Sequence, residues 1–337
     1  MPEYISVETS IASSVIKDLR KRRLIRTDLK ITRSGNNVMI PVKSAPPDYA
    51  KDIITEGGRY REVPKSPYGR VLDLVLGEGI PREMVPDKWI RYGDSIALRL
   101  NGNMDSQYAI AGAYAKVLGV KTVYRIDGGI RGEIREPTMK LIYGPGGEVQ
   151  HTENGIKYEF DPSRVMFSPG NVNERVSMKN FPSRKQRVLD MFAGIGYFSL
   201  PVAKYTDPEL VQCCEINPIS ARFLRGNSEI NNVSEKIKIS VGDVRLLKSN
   251  IRYGLIIMGN FESASFIAKA LSMAGDRCTI ILHHLVSTDR LITFRREMNR
   301  RFLSFSYVPS IIDSHIVKSV GPNYYHVSTT IEVTRII

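Results

Sequence analysis

Residues 188–196 read Val-Leu-Asp-Met-Phe-Ala-Gly-Ile-Gly, and the fold turns on how this stretch is read. Val188, Leu189 and Met191 form a short apolar run with Asp190 at its carboxyl end, as a buried strand would. Gly194 and Gly196 then let the backbone turn and pass close to a ligand where a side chain would collide. A second apolar run, Leu210 to Cys214, ends on Glu215, 25 residues after Asp190. An acid there can accept hydrogen bonds from both hydroxyls of a ribose, in the cleft where open parallel sheets bind ligands. The third glycine of the dinucleotide fingerprint is replaced by Ser199, which disfavours NAD and leaves S-adenosylmethionine as the expected ligand. A merely structural βαβ unit, or one for another nucleotide, is the competing reading.

Downstream, Asn217-Pro218 offers an N-cap followed by proline at the first helical position, and a helix through Ala221, Phe223 and Leu224 should end near Asn231-Asn232. Lys236 to Val241 reads as a third strand closing on Gly242-Asp243-Val244, with Asp243 expected to face the adenine amino group. Leu255 to Met258 is a fourth strand, Ala264 to Ala274 a helix, Cys278 to Leu282 a fifth strand and Leu291 to Phe302 another helix. Two strand-rich stretches, Phe305 to Lys318 and Tyr324 to Val333, flank the turn Gly321-Pro322-Asn323. Alternating strands and helices that finish on a hairpin predict an α/β fold: a mostly parallel, doubly wound, Rossmann-type sheet with an antiparallel edge, of the class I S-adenosylmethionine-dependent methyltransferase kind.

The chain of 337 residues carries a formal net charge of +13 with a pI near 9.6, so a polyanion is the expected partner, and nucleic acid ranks above membrane. Lys17, Arg20, Lys21, Arg22, Arg23 and Arg26 crowd the end of a predicted amphipathic helix whose apolar ridge is Ile11, Val15 and Leu19. The cluster is either an RNA-facing surface or a solvated helix end whose cations suit the dipole. Arg295, Arg296, Arg300 and Arg301 form a second group, which a surface helix of a sheet protein often carries. Met1 to Ser10 has no apolar run behind a basic patch and no stretch is long enough to span a bilayer, so a cytoplasmic address without membrane contact is expected. Cys213, Cys214 and Cys278 read as core thiols, and His283-His284, pointing to opposite faces of a strand, make a metal site unexpected.

The organisation expected is a small α/β domain with a linker over residues 1–62, a mixed, strand-rich middle domain over 63–179 with one helix at Tyr108 to Leu118, and the catalytic sheet over 180–337. The first contains a hairpin across Ser34-Gly35-Asn36-Asn37, and residues 44–70 read as linker or irregular insert.

Several further segments, in one order, carry a family resemblance. They are Asn37-Val38-Met39-Ile40-Pro41-Val42, Trp89-Ile90-Arg91-Tyr92-Gly93-Asp94, Gly132-Glu133-Ile134-Arg135-Glu136-Pro137, Val317-Lys318 and Tyr324-Tyr325-His326-Val327. With these the chain resembles the family of tRNA guanine-N1 methyltransferases and wybutosine-synthesis enzymes over most of its length. Met166-Phe167-Ser168, with Gly170-Asn171 and on to Met178, resembles the aminocarboxypropyltransferase branch. The methyltransferase branch carries Asn-Leu-Pro after the fourth strand, where this chain has Gly259-Asn260-Phe261-Glu262-Ser263; a divergent loop is the plain alternative.

The resemblance implies a tRNA partner, docked by the amino-terminal domain with Arg20, Arg22 and Arg23 on its surface. It also implies transfer of the 3-amino-3-carboxypropyl group of S-adenosylmethionine to the tricyclic base beside the anticodon of phenylalanine tRNA. On that reading Asp190, Gly194, Gly196, Glu215 and Asp243 hold the adenosine end, Phe192 and Ile216 wall it, and Ser168 and Arg175 hold the amino acid tail. A guanidinium suits a carboxylate because it can bind both oxygens, although Arg175 could equally serve an interdomain ion pair. Glu262 is a candidate base by position alone. N1-methylation of guanosine and a non-catalytic tRNA-binding role are the alternatives; no obligate protein partner is evident.

Overall fold

The computed structural model describes residues 2–55, 57–60, 64–129, 132, 134–181, 185–290 and 293–336, apart from side chains 294 and 295. Glu133, Leu291 and the Arg295 side chain, named above, lie outside the described residues. Contacts divide the chain into two compact units, Met1–Ser66 and Pro67–Ile337.

The first unit contains β1 (Glu3–Glu8), α1 (Thr9–Lys21), β2 (Thr32–Ser34), β3 (Asn37–Val42) and β4 (Ile53–Thr55), and its strands form an antiparallel sheet in the order β2-β3-β1-β4. Ser34 pairs with Asn37 across the expected hairpin, and Gly35 supplies the positive φ of +60° that the two-residue turn needs. The stretch expected to be irregular therefore contributes an edge strand, β4. α1 buries Ala12, Val15 and Leu19 against Ile5, Val7, Ile40 and Val42. Ile11 was expected on that ridge and is instead 51% exposed. At 100° per residue it lies about 80° around the helix from Leu19, off the face that meets the sheet.

The second unit opens with α2 (Pro67–Leu76), β5 (Ile90–Tyr92), β6 (Ser95–Leu98), α3 (Met104–Leu118), β7 (Thr122–Ile126) and β8 (Met139–Tyr143). These strands form a sheet in the order β5-β6-β7-β8, with β6 and β7 parallel across the α3 crossover. α3 starts four residues before Tyr108 because Asn103 Oδ1 accepts the Ser106 N–H at 2.9 Å, and it stops at Gly119, whose φ is +62°. A hairpin of β9 (Val149–Glu153) and β10 (Ile156–Phe160) follows, then the short α4 (Val172–Ser177).

The remainder is β11 (Arg187–Asp190), α5 (Ser199–Tyr205), β12 (Leu210–Glu215), α6 (Pro218–Ile230), β13 (Ile237–Val241), β14 (Tyr253–Met258), α7 (Ile267–Met273), β15 (Ala274–Ser287), α8 (Phe294–Leu303), β16 (Tyr307–Gly321) and β17 (Tyr324–Arg335). The seven strands run β13-β12-β11-β14-β15-β17-β16; the first five are parallel and β17 is antiparallel to both its neighbours. This is the doubly wound sheet with an antiparallel edge that the sequence predicts. Strand order reverses between β11 and β14, so a ligand crevice belongs outside their carboxyl ends. β15 is much longer than Cys278 to Leu282, because β17 pairs with it from Arg277 to Ser287. It begins at Ala274, which shortens the helix expected over Ala264 to Ala274. Cys213, Cys214 and Cys278 are free and buried. Among the described residues no helix is long and apolar enough to cross a membrane.

Contacts place the first boundary after Ser66 and draw none at 179/180. The physical join is a pair of buried amides, Asn227 on α6 and Asn231 capping its carboxyl end. Asn231 accepts the Lys157 N–H at 3.0 Å and donates to the Lys157 carbonyl at 2.7 Å, while Asn227 accepts the Glu159 N–H at 2.7 Å and donates to the Ile195 carbonyl at 3.2 Å. The two side chains thus act towards the edge strand β10 as a neighbouring strand would. Replacing Asn231 with Leu strands both polar groups of Lys157, and each buried unsatisfied group is worth about 1–3 kcal/mol. Asn231→Leu should therefore lower stability by about 2–4 kcal/mol, measured as the shift of the urea midpoint. An unchanged midpoint would mean that the amides do not join the two parts.

Candidate functional site

The crevice holds a cavity of about 570 Å³. One part of its wall is built by the loop after β11 and the end of β12. Glu215 accepts the Gly194 N–H on Oε2 at 2.6 Å and the Asn217 N–H on Oε1 at 2.8 Å, and Asn217 Oδ1 in turn caps α6 by accepting from Ile219. Burial pushes the Glu215 carboxyl up, with the backbone donors opposing it. Each oxygen retains lone-pair capacity for a ligand hydroxyl. Gly194, at φ +56°, lies on the cavity wall with Glu215, Phe192 and Ile216. Phe192 is held edge-on by Phe266 at 5.0 Å, and Ile216 remains 37% exposed.

Three residues expected at the adenosine end do not line this cavity. Asp190 is fully buried beneath the loop, its Oδ1 accepting the Phe192 N–H at 3.3 Å, and burial pushes its carboxyl up to about 7. It shapes the loop. Gly196 is required by packing, since a Cβ there would stand 2.5 Å from Leu200. Asp243 accepts the Arg245 N–H at 2.8 Å and pairs with the Arg245 guanidinium, so its carboxylate is engaged away from the cavity. Glu262 is exposed and also off the cavity, which leaves Glu215 as the sole carboxylate among the described residues that line it.

The other end is polar and cationic. Ser168 and Arg175 both line it, as expected. Arg175 is 3% exposed and donates from Nε and Nη2 to the two Glu153 oxygens at 2.6 and 2.8 Å, and from Nη1 to the Ser168 carbonyl at 3.0 Å. Three of its five N–H groups are thereby committed, so the side-on fork proposed for a ligand carboxylate belongs to Glu153 and two N–H groups remain. The ion pair joins β9 to α4, and the guanidinium also stacks 4.8 Å from the centre of Phe167.

Arg135, Asn171 and Lys318 line the same end, although sequence reasoning gave them no role. Arg135 sits at φ +56°, a left-handed backbone uncommon for a residue with a side chain, and its buried Nε has no hydrogen-bond partner. Its guanidinium lies 5.4 Å from the centre of Phe261. Lys318 donates to Ser168 Oγ at 3.3 Å across 150 residues of chain. Their presence in quoted motifs was the available signal.

Gly259, at the end of β14, has a physical reason to lack a side chain. A Cβ there would stand 2.6 Å from the ring of Phe198, which stacks on His283 at 5.2 Å. No group of three or more His, Cys, Asp or Glu among the described residues could hold a metal ion.

Residues 149–304 match the family described as TRM5/TYW2 methyltransferase domain, and residues 72–147 match TYW2 N-terminal domain. The chain is 35% identical over 271 residues, 77% of its length and 95% of the relative's, to the tRNA(Phe) (4-demethylwyosine(37)-C(7)) aminocarboxypropyltransferase of Pyrococcus horikoshii. It belongs to the TRM5/TYW2 family. The crystal structure of P. horikoshii TYW2 in complex with MeSAdo superposes with a TM-score of 0.71 at 32% identity, covering 79% of this chain and 99% of that one. Trm5b from Pyrococcus abyssi superposes with a TM-score of 0.77 at 25% identity, covering 99% and 100%. The Rossmann-type sheet is the fold of this TRM5/TYW2 family.

Burial of Asp190 generates a pH signature. Its folded pKa lies above the unfolded value of 3.8, so the favourable contribution is complete below that value and is lost as pH rises through about 7. Asp190→Asn carries no such loss. The variant's stability relative to the parent should rise between pH 5 and pH 8.5, by up to roughly 3 kcal/mol, in thermal melts across that range. A constant difference would show that Asp190 is ionised throughout.

Proposed function

We propose that this chain transfers the 3-amino-3-carboxypropyl group of S-adenosylmethionine to the tricyclic wyosine-precursor base of phenylalanine tRNA, in the cytoplasm, releasing methylthioadenosine. The observation that carries the choice of reaction is the closed space at Gly259. The methyltransferase branch has an asparagine at this point of the loop to orient a ring nitrogen; Gly259 aligns best with it, and Phe198 fills the room a side chain there would need, while Asn260, one position on, lines the cavity. The relative with 35% identity is named for the same transfer.

S-adenosylmethionine supplies a sulfonium with three carbons open to displacement, and the residues of the cavity fit it. Glu215 accepts from the ribose hydroxyls, Gly194 lets the backbone approach, and Phe192 and Ile216 flank the adenine. Ser168 and the two uncommitted N–H groups of Arg175 face the tail. In-line displacement requires nucleophile, carbon and sulfur in a row, so holding both ends of the donor selects which carbon faces the base. With no carboxylate but Glu215 among the described residues on the wall, positioning carries most of the rate. S-adenosylmethionine labelled in its carboxyl carbon should pass label to precursor tRNA, whereas methyl-labelled donor should not. Methyl label on plain guanosine, with S-adenosylhomocysteine released, would assign the chain to the methyltransferase branch.

The +13 charge suits tRNA, and the first unit offers Arg20 and Arg23 as exposed cations. Arg22 differs, being paired with Asp18 at 3.2 Å and Asp48 at 2.9 Å. Arg20→Glu with Arg23→Glu should weaken tRNA binding and flatten its salt dependence by about 1 logarithmic unit of slope per lost phosphate contact. Arg22→Glu should do less. If the double variant kept the parent slope in filter binding, the cluster would be a solvated helix end.

A further inference from the structure

His315, on the edge strand β16, meets a carboxylate at each of its ring nitrogens. Nε2 lies 2.8 Å from Oε1 of Glu174 on α4, and Nδ1 lies 2.6 Å from Oδ2 of Asp313 on its own strand. Ionised carboxylates only accept, and a neutral imidazole carries a single N–H. Both contacts are therefore hydrogen bonds only when the ring is an imidazolium. Glu174 adds its own demand for a cation, because it is buried and among the described residues no Lys or Arg comes within ion-pair distance of it.

The neighbouring groups do not replace His315 in this role. The second Glu174 oxygen lies 3.8 Å from Nε2 of His283 on β15, a ring kept neutral by burial and by the imidazoles around it, and His283 in turn meets His326 on β17 at 2.9 Å. Arg175, next to Glu174 on α4, has its fork on Glu153. Burial works to lower the His315 pKa, but hydrogen bonds to Glu174 and Asp313 outweigh it and hold the pKa above its ordinary value.

The tie joins two segments whose nearby residues line the cavity. His315 comes three residues before Lys318, and Glu174 three residues after Asn171. The segments are in contact: Lys318 donates to Ser168 Oγ at 3.3 Å, and a Cβ on Gly170 would stand 3.1 Å from Lys318 Nζ. Pairing of β16 with β17 shifts register on both sides of His315, between Ile311 and Asp313 and between Ile316 and Lys318. Such irregularities interrupt the ladder locally, so side-chain ties bear more of the task of fixing this part of the strand.

Building on the S-adenosylmethionine reading for what fills the cavity, we propose that His315 is a positioning residue: as an imidazolium bridging Asp313 and the buried Glu174, it clasps the terminal hairpin to α4 and keeps the β16 wall of the cavity against the turn that faces it. Neither His315 nor Glu174 lines the cavity, so both act through the residues beside them. The clasp is operated by a proton. Its contribution is complete below the unfolded value of 6.5 and is lost as pH rises through the raised folded value.

The test follows two readouts on the full chain across about pH 6 to 9: calorimetric titration with S-adenosylmethionine, and hydrogen-exchange protection factors of the β16 amides without ligand. His315→Gln should bind the donor more weakly than the parent at the acidic end, by on the order of 10-fold, the low end for a hydrogen bond to a charged group because His315 is half exposed, and should match the parent at the alkaline end. Glu174→Gln should do the reverse, matching the parent in acid and binding more tightly in base, because its amide can donate to an unprotonated Nε2 while Nδ1–H still reaches Asp313. Asp190 titrates within this range in all three chains, so the ratios between chains isolate the clasp. Ratios that do not change with pH, or a Glu174→Gln variant weaker than the parent throughout, overturn it. A parent that binds no S-adenosylmethionine refutes the donor reading, and the protection factors, which should follow the same ordering of variants, still decide the clasp.

Discussion

The carboxylate of Glu215 is the constraint on which the site's shape rests. It ends β12, the strand beside β11, and its two oxygens hold the backbone of the glycine loop through Gly194 and the entry to α6 through Asn217. Taking a carboxylate largely out of water is unfavourable, and directed N–H donors offset that cost only where both are in place. The loop after β11 and the start of α6 are thus mutually determined, and the same two oxygens keep lone-pair capacity for a ligand hydroxyl. Binding capacity and local fold reside in one group.

The buried Arg175–Glu153 pair plays the corresponding part at the other end. It fastens α4 to the β9–β10 hairpin, while the α6 amides fasten that hairpin to the catalytic sheet. Removing one partner of such a pair leaves an unpaired buried charge and costs about 3–5 kcal/mol. The tail end of the cavity is therefore set by a frame from several parts of the chain. His315 adds a tie from β16, its Nε2 2.8 Å from Glu174 on α4.

Local signals in the sequence were legible where neighbouring residues supply them. Asp190 to Gly196, Glu215 and the Asn217-Pro218 cap all sit where strand, loop and helix chemistry require. Burial and partner choice were not legible from spacing. Asp190 and Asp243 look like ligand contacts by position, yet one is sealed under the loop and the other is engaged by Arg245. Ile11 keeps the helical period and misses the buried face. Lys318 and Ser168 meet only because the terminal hairpin returns across the mouth of the sheet, a contact between residues 150 positions apart. The extent of β15 likewise follows from its pairing with β17, which no local propensity contains.

The segment after β14 shows how a loop residue answers to the core behind it. Phe198 stands against Gly259 and is stacked on His283, whose Nδ1 lies 2.9 Å from His326 Nε2. Burial and the neighbouring imidazoles hold His283 down to about 3, and burial with the charges of Lys318 and Arg135 holds His326 to about 4, so both rings are neutral and one hydrogen bond joins them. His326 packs edge-on to Phe261, which faces the cavity. The aromatic and imidazole rings thus form a continuous backing from β15 and β17 to the wall. A side chain at 259 would have to displace Phe198, and Phe198 could move only by giving up its stack on His283. The absence of a side chain at 259 is accordingly tied to the packing of the antiparallel edge, and a substitution there would require repacking the rings behind it.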